Sequence, residues 1–486
     1  MSSRPAASHR VPSAPTAWRW PRIDATTLLI IYVVTLVILP SRLVVPGFGA
    51  NGRPAELIGL ALLGIWGLSR LLDVHPRGWQ PARVGLVLFL VAAFTGYAAG
   101  WYRGVPVEEA HGSDRTLIAI VSLVGVALAA MDAATTRARL DRLLMAACWS
   151  GGVMSAVGIG QKVTGRDISV YVRLPGLKYN RPLVGFKTRG GVGTDTLNRI
   201  AGTALHYIEF GAVLALLLPI AIHYAMHTEP GRLRQLRWAL VGLLAAGAPL
   251  AIARSAALGL VLALVVLACV WRPRYIGLGL VASVVGLAAM RLAFPGVLGT
   301  IKALFTHLGE DPSISGRTGD YTAVADFVRQ RPIFGRGLGT FLPDRFFYLD
   351  NQYLGTLIES GYVGLVGIVA LFLSPILTGR YIRRHGTDGE TRHLGQAFVA
   401  VGVVTLVLAG TFDALGFPTF AGLIFLLLGC CGALWRLNIR ERQVSETAVV
   451  PPLLRPTGDW LRWLPPEVRR EPDGLRERVA TAAART

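Results

Sequence analysis

The sequence predicts an all-α fold, a polytopic integral membrane helical bundle of about twelve transmembrane helices, on three observations. Apolar runs of about 17–25 residues recur along the chain, each long enough to cross a hydrocarbon core of roughly 30 Å. Of 486 residues, 52% are hydrophobic and only 16% charged, too little polar surface for a soluble protein. The arginines gather between the apolar runs, and their density differs between alternate loops.

Taken in order, residues 1–22 are rich in Pro, Ser and Ala and carry Arg4, Arg10, Arg19 and Arg22, which reads as a disordered basic cytoplasmic tail. The run at 24–40 follows without a small-residue cleavage site, so it reads as a first membrane helix and not a signal peptide. Further runs fall at 55–72, 83–100, 114–131, 143–161, 200–224, 238–253, 255–271, 275–294, 355–378, 395–411 and 416–435. Short loops assigned to the cytoplasm hold clusters such as Arg137, Arg139 and Arg142, or Arg380, Arg383 and Arg384. The short loops of the other face hold only Arg42, Arg53 and Arg103, which orients both termini to the cytoplasm. A membrane domain over 23–435 therefore carries two long extracytoplasmic loops, 162–199 and 295–354. The tail 436–486 is expected to be largely disordered, or to lie on the inner leaflet through Trp460, Leu461, Trp463 and Leu464.

The net charge of +20 does not point to nucleic acid, because the basic residues are topology signals and candidate phosphate ligands. Cys148, Cys269, Cys430 and Cys431 sit in apolar runs without metal-type spacing, so neither a disulfide framework nor a zinc site is expected.

Charges inside membrane spans are costly and tend to face a cavity or mark function. Arg254, at a turn between two apolar runs, must snorkel to the interface or meet an anion; the planar guanidinium suits a diphosphate. His206 and Glu209, three residues apart at the head of a span, are expected on one helix face, as a structural pair or as substrate contacts. Arg199 ends a basic first loop (Arg166, Arg173, Lys178, Arg181, Lys187, Arg189) that reads as solvated charge or as part of a cavity for a diphosphate-bearing lipid.

In the second loop Tyr321, Val324, Ala325 and Val328 follow helical spacing, predicting a short amphipathic helix that ends before Pro332 and lies on the membrane surface. The stretch from Pro332 to Gly339 lacks the strand–turn–helix context of a nucleotide loop and reads as a tight backbone turn. Asp350-Asn351 precede the next span, where a carboxylate serves as a cap or a base.

Several motifs in this order resemble the bacterial O-antigen ligase/polymerase superfamily of polytopic membrane glycosyltransferases. They are Arg254-Ser255 (the family's Ser-Arg in reversed order), Gly316-Arg317, Pro332 to Gly337, Asp350-Asn351-Gln352-Tyr353-Leu354, and Glu359-Ser360-Gly361-Tyr362-Val363-Gly364. Where ligases of the family carry a histidine as base, this chain has Asp350. The resemblance implies inverting transfer of a glycan from a polyprenyl-diphosphate carrier to an acceptor hydroxyl on a glycan or lipid. That transfer would occur at the outer face of the cytoplasmic membrane, in surface polysaccharide assembly by a ligase or a polymerase. It casts Asp350 as base, with Arg254 and Arg317 on the diphosphate. Within these motifs Arg336, Asn351, Tyr353 and Glu359 are the implied substrate contacts, and His206, Glu209 and Arg199, outside them, are candidates from their charge and placement. No cofactor or metal is expected, although Glu310-Asp311 leaves a metal-assisted variant open. Two rival readings are a transporter or flippase of lipid-linked glycans and a non-catalytic scaffold. Against the transporter stand the absence of a repeated half and the one-sided placement of the polar motifs.

Overall fold

The structure, a computed structural model, describes residues 24–73, 79–180, 188–191, 193–306 and 312–449. The expected tail 1–22, Arg77, Arg181, Lys187, Glu310-Asp311 and the Trp460–Leu464 segment lie outside them. The helices are α1 Ala25–Ile38, α2 Pro54–Leu71, α3 Pro81–Arg103, α4 Val107–Ala133, α5 Arg137–Thr164, α6 Tyr207–Met226 and α7 Arg232–Leu250. There follow α8 Arg254–Ala268, α9 Pro273–Ala293, α10 Val297–Thr306, α11 Pro312–Gln330, α12 Gln352–His385, α13 Gly389–Leu408 and α14 Pro418–Val449. Ile439–Thr486 separates as a second unit, whose described part is the end of α14.

Each of the twelve apolar runs coincides with a helix. Among the described residues nine helices are long and apolar enough to cross a membrane, and the chain is a multi-pass membrane protein. The other three runs fall short for visible reasons: α1 and α8 have 14 and 15 residues, and α7 opens with Arg232, Arg234 and Arg237. Helix starts follow local chemistry. Asp24, Thr136, Asp388 and Asn351 cap α1, α5, α13 and α12 with their side chains, while proline opens α2, α3 and α9.

Helices α6 and α14 form the centre, with almost every residue of their apolar stretches buried. At the periphery, only Met290 of α9 is buried. An apolar helix exposed nearly all round needs lipid around it. Close packing runs through small residues: Gly59 lies under Ser122 of α4, Gly85 and Gly96 of α3 under Ser374 and Ser360 of α12, and Gly379 against Gly395 of α13. Without a hydrophobic drive between helices in lipid, such close approach is the main source of attraction.

The loops are more structured than the sequence suggests. Two residues of the 162–199 segment, Lys178 and Tyr179 (β2), pair antiparallel with Val44 and Leu43 (β1). Two further short strands, β3 Thr188–Gly191 and β4 Gly193–Asn198, pair with one another. The amphipathic helix ends before Pro332 as predicted, at Gln330. Val324, Phe327 and Val328 of its apolar face pack with Phe341, Phe346 and Ile358, so the second loop has its own small core against α12.

Candidate functional site

The head of α12 is where most of the expected residues meet. Asn351 caps the helix, its Oδ1 accepting from the N–H groups of Tyr353 (3.0 Å) and Leu354 (3.2 Å). Its Nδ2 donates to the carbonyl of Gly410 (3.1 Å). Next to it, the N–H of Gln352 donates to Ala409 O (2.9 Å), and its Oε1 accepts from Leu415 N (2.7 Å). Tyr353 donates its hydroxyl to Leu406 O. The α12 head is thus clamped to the turn between α13 and α14, which holds exposed Asp350 close to Asp413 on that turn.

Asp413 was missed in the sequence reading. Its side chain is exposed, yet the protein around it strips part of its hydration. That lost hydration pushes its carboxyl up to about 6; the Gly416 N–H on Oδ1 (3.2 Å) opposes the rise and the charge of Asp350 adds to it. A signal was available: Asp413 is the lone formal charge between Arg392 and Arg436.

His206 borders the same turn, its ring stacked on Phe417 at 5.6 Å between centroids. It does not share a helix face with Glu209, contrary to the expectation. His206 is the cap residue outside α6, accepting from Ile208 N, whereas Glu209 turns inward. Glu209 is fully buried, and its carboxylate accepts from the N–H groups of Leu205, Thr419 and Phe420 at 2.7, 2.6 and 3.3 Å. It caps α14 from another helix and so latches α6 to it. Arg199 donates to the Tyr207 hydroxyl and lies over that ring at 4.5 Å, one residue beyond His206.

Arg254 opens α8 and is half-buried. Ala251 and Ala256 beside it pack on Gly211, in the first turns of α6, so Arg254 lies at the same end of the bundle. The preceding turn is strained: Ile252, a β-branched residue, has φ 49°. Arg317 falls within α11, and its side chain lies outside the described residues.

Two expected substrate contacts have structural partners. Arg336 donates to Glu109 Oε1 (2.9 Å), a buried carboxylate that also binds Arg103, and its guanidinium lies over Phe346 at 4.4 Å. Glu359 accepts from the backbone N–H groups of Gly339 and Phe341, which fastens the second loop to α12.

The Pro332–Gly337 and Glu359–Gly364 motifs turn out to be two halves of one joint. Gly361 breaks α12 at φ 62°, ψ −158°. Tyr362 and Val363, beyond the break, donate to Pro332 O (2.8 Å) and Ile333 O (3.1 Å). In return Arg336 N and Gly337 N donate to Ile358 O and Glu359 O, each at 2.9 Å. The loop backbone replaces the hydrogen bonds that the broken helix gives up.

Residues 238–369 match the family model for O-antigen ligase. Over these residues the chain is similar to O-antigen ligases. Among curated proteins none matches the chain. The domain runs from α7 into the first half of α12 and includes Arg254, Arg317, Arg336, Asp350 and Glu359. Arg199, His206, Glu209 and Asp413 lie outside it, and the fold brings His206 and Asp413 to its edge. The matched domain supports glycan transfer of the O-antigen ligase type in a membrane.

Proposed function

We propose that this chain transfers a glycan from a polyprenyl-diphosphate carrier to an acceptor hydroxyl, with inversion and without a metal, at the outer face of the bacterial cytoplasmic membrane. The observation that carries the proposal is the clamp at the α12 head, which sets Asp350 beside Asp413 inside and at the edge of an O-antigen ligase domain. Asp350 takes the proton of the attacking hydroxyl. A positioned carboxylate at the mouth of the helix can serve as that base. Arg254 and Arg317 stabilise the charge that grows on the departing diphosphate. The diphosphate is already an activated leaving group, so the reaction asks for charge stabilisation and orientation more than for bond activation. His206, stacked on Phe417, and Arg199, over Tyr207, are the residues we assign to the glycan or the acceptor. Both termini are then cytoplasmic, and the product enters surface polysaccharide.

The test is transfer by the protein in nanodiscs, with a radiolabelled polyprenyl-diphosphate oligosaccharide, candidate acceptors and chelator. We expect chelator-resistant release of polyprenyl diphosphate coupled to a new glycosidic bond. Asp350→Asn should lower it by about 10²–10⁴-fold, the usual contribution of a positioned base, while folding is kept, and Arg317→Ala should lower it too. A product ladder means polymerase and a single adduct means ligase. Full activity of Asp350→Asn sinks the base assignment. Movement of the lipid across the bilayer without a new bond would make the protein a flippase.

A further inference from the structure

At the far end of α6 from His206, about 30 Å away along a helix of 20 residues, three histidines converge. His223, in the last turn of α6, and His227, the residue that caps its C-terminus, lie one turn apart, and His393 faces them from the first turns of α13. One ring nitrogen of each lies within 4.8 Å of those of the other two. The ring centroids are 4.7–5.3 Å apart. Three imidazoles bound to one tetrahedral ion at about 2.0–2.1 Å would have centroids roughly 5 Å apart.

The hydrogen bonds fix which nitrogens carry lone pairs. Trp271 Nε1 donates to His393 Nε2 (3.0 Å), so the proton of His393 is on Nδ1 and is donated to His223 Nδ1 (3.0 Å). The proton of His223 is therefore on Nε2, a buried nitrogen without a hydrogen-bond partner, 4.0 Å from Glu390 Oε1. His227 donates from Nδ1 to the carbonyl of His223 (2.9 Å), which leaves its Nε2 with a lone pair. His223 and His227 are thus already in the tautomers that ligation requires.

We propose that His223, His227 and His393 bind a divalent transition-metal ion of the zinc class, joining α6 to α13 at the end of the bundle opposite Asp350. The ion takes the place of the proton shared by His223 and His393, whose Nδ1 atoms need to part by only about 0.3–0.4 Å to become ligands of a tetrahedral ion. Imidazole donors suit this class of ion. Exposed His227 leaves the fourth position open to water. The orphan N–H of His223 then gains Glu390 as a carboxylate partner, the usual support of a ligating histidine. Of the two cations that act on His223, Arg137 is held by Asp141 (2.8 Å) and Glu390 (3.1 Å), and Arg237 donates to Tyr224 O and Thr228 Oγ1. His393 must move its proton from Nδ1 to Nε2, so binding releases the hydrogen bond of Trp271.

The experiment uses the full chain, purified through a tag without histidine, stripped with chelator and titrated with Co²⁺ alone. We expect one Co²⁺ per chain, with the visible absorption of a tetrahedral ion bound by nitrogen, displaced by Zn²⁺. A fluorescence change should accompany binding and disappear in Trp271→Phe. His227→Ala, at an exposed position, should fold normally and bind more than about 100-fold more weakly, beyond the cost of losing an outer-shell partner; His393→Ala should do the same. No stoichiometric uptake at micromolar ion, or equal uptake by wild type and His227→Ala, overturns the site.

Discussion

Asp413 is the residue whose titration bears most directly on the proposed reaction. With its carboxyl pushed up to about 6 against an ordinary 3.8, it carries a proton in the folded protein at pH values where the unfolded chain would have lost it. The stabilising contribution is therefore fully present below about pH 3.8 and is lost as pH rises through about 6. Above that, an ionised Asp413 faces ionised Asp350. Asp413→Asn, neutral at every pH, should accordingly melt higher than wild type at pH 8, with the difference closing toward pH 4; a gap that stays constant with pH would contradict the assignment. For transfer the expectation runs the other way, since uptake of the acceptor proton needs the pair ionised. The wild-type rate should fall below a midpoint near pH 6, and Asp413→Asn should be slow and without that midpoint.

At the scale of elements, the joint between the loop and the broken α12 explains why two glycine motifs so far apart in sequence belong together. Gly361 occupies a backbone region open to glycine alone, and a Cβ there would lie 2.3 Å from Ile333 O. Gly361→Ala should cost at least about 1–3 kcal/mol of strain and loosen the grip of Glu359 on the loop, lowering both melting temperature and transfer. Gly242→Ala, in α7 with nothing within 4 Å, is the contrast: it should be neutral or stabilising by up to about 1 kcal/mol. Periodicity made the helices legible because a membrane span must be apolar over its whole length, whatever it packs against. The motif residues Asp350 and Asn351 were legible from the resemblance, and their place at a helix head from capping chemistry. What stayed hidden depends on partners distant in sequence. Nothing near Arg336 announces Glu109, and nothing near Glu209 announces the start of α14. His206 and Glu209 looked like one helix face only because the helix start was set seven residues too early, at 200 instead of 207.

Across the whole molecule, α4 joins two charged layers. Near one end Glu109 binds Arg103 and Arg336; at the other Asp132 binds Arg70 and Arg83 at 2.5 Å each, with Arg436 at 3.6 Å and the Trp66 indole at 2.8 Å. The two carboxylates are 23 positions apart in one helix, about 35 Å, slightly more than the hydrocarbon core of roughly 30 Å. Each layer thus falls where water and head groups begin, so neither pays the cost of charge at the bilayer centre. Asp132 ties α2, α3 and α14 to α4, and three arginines depend on that one buried carboxylate. Removing it leaves their charge uncompensated, a loss of up to about 3–5 kcal/mol for a buried pair. Asp132→Asn should therefore lower the melting temperature and the yield from membranes. Combining it with Arg436→Met should recover part of the loss, because one unpaired charge is gone. Asp132 is remote from Asp350 and the α12 head, so the Asp132→Asn protein that does fold should transfer glycan at the wild-type rate per folded molecule. A fall in that rate would mean that the two ends of the bundle are coupled through α4, and that the charged layers do more than hold the helices in register.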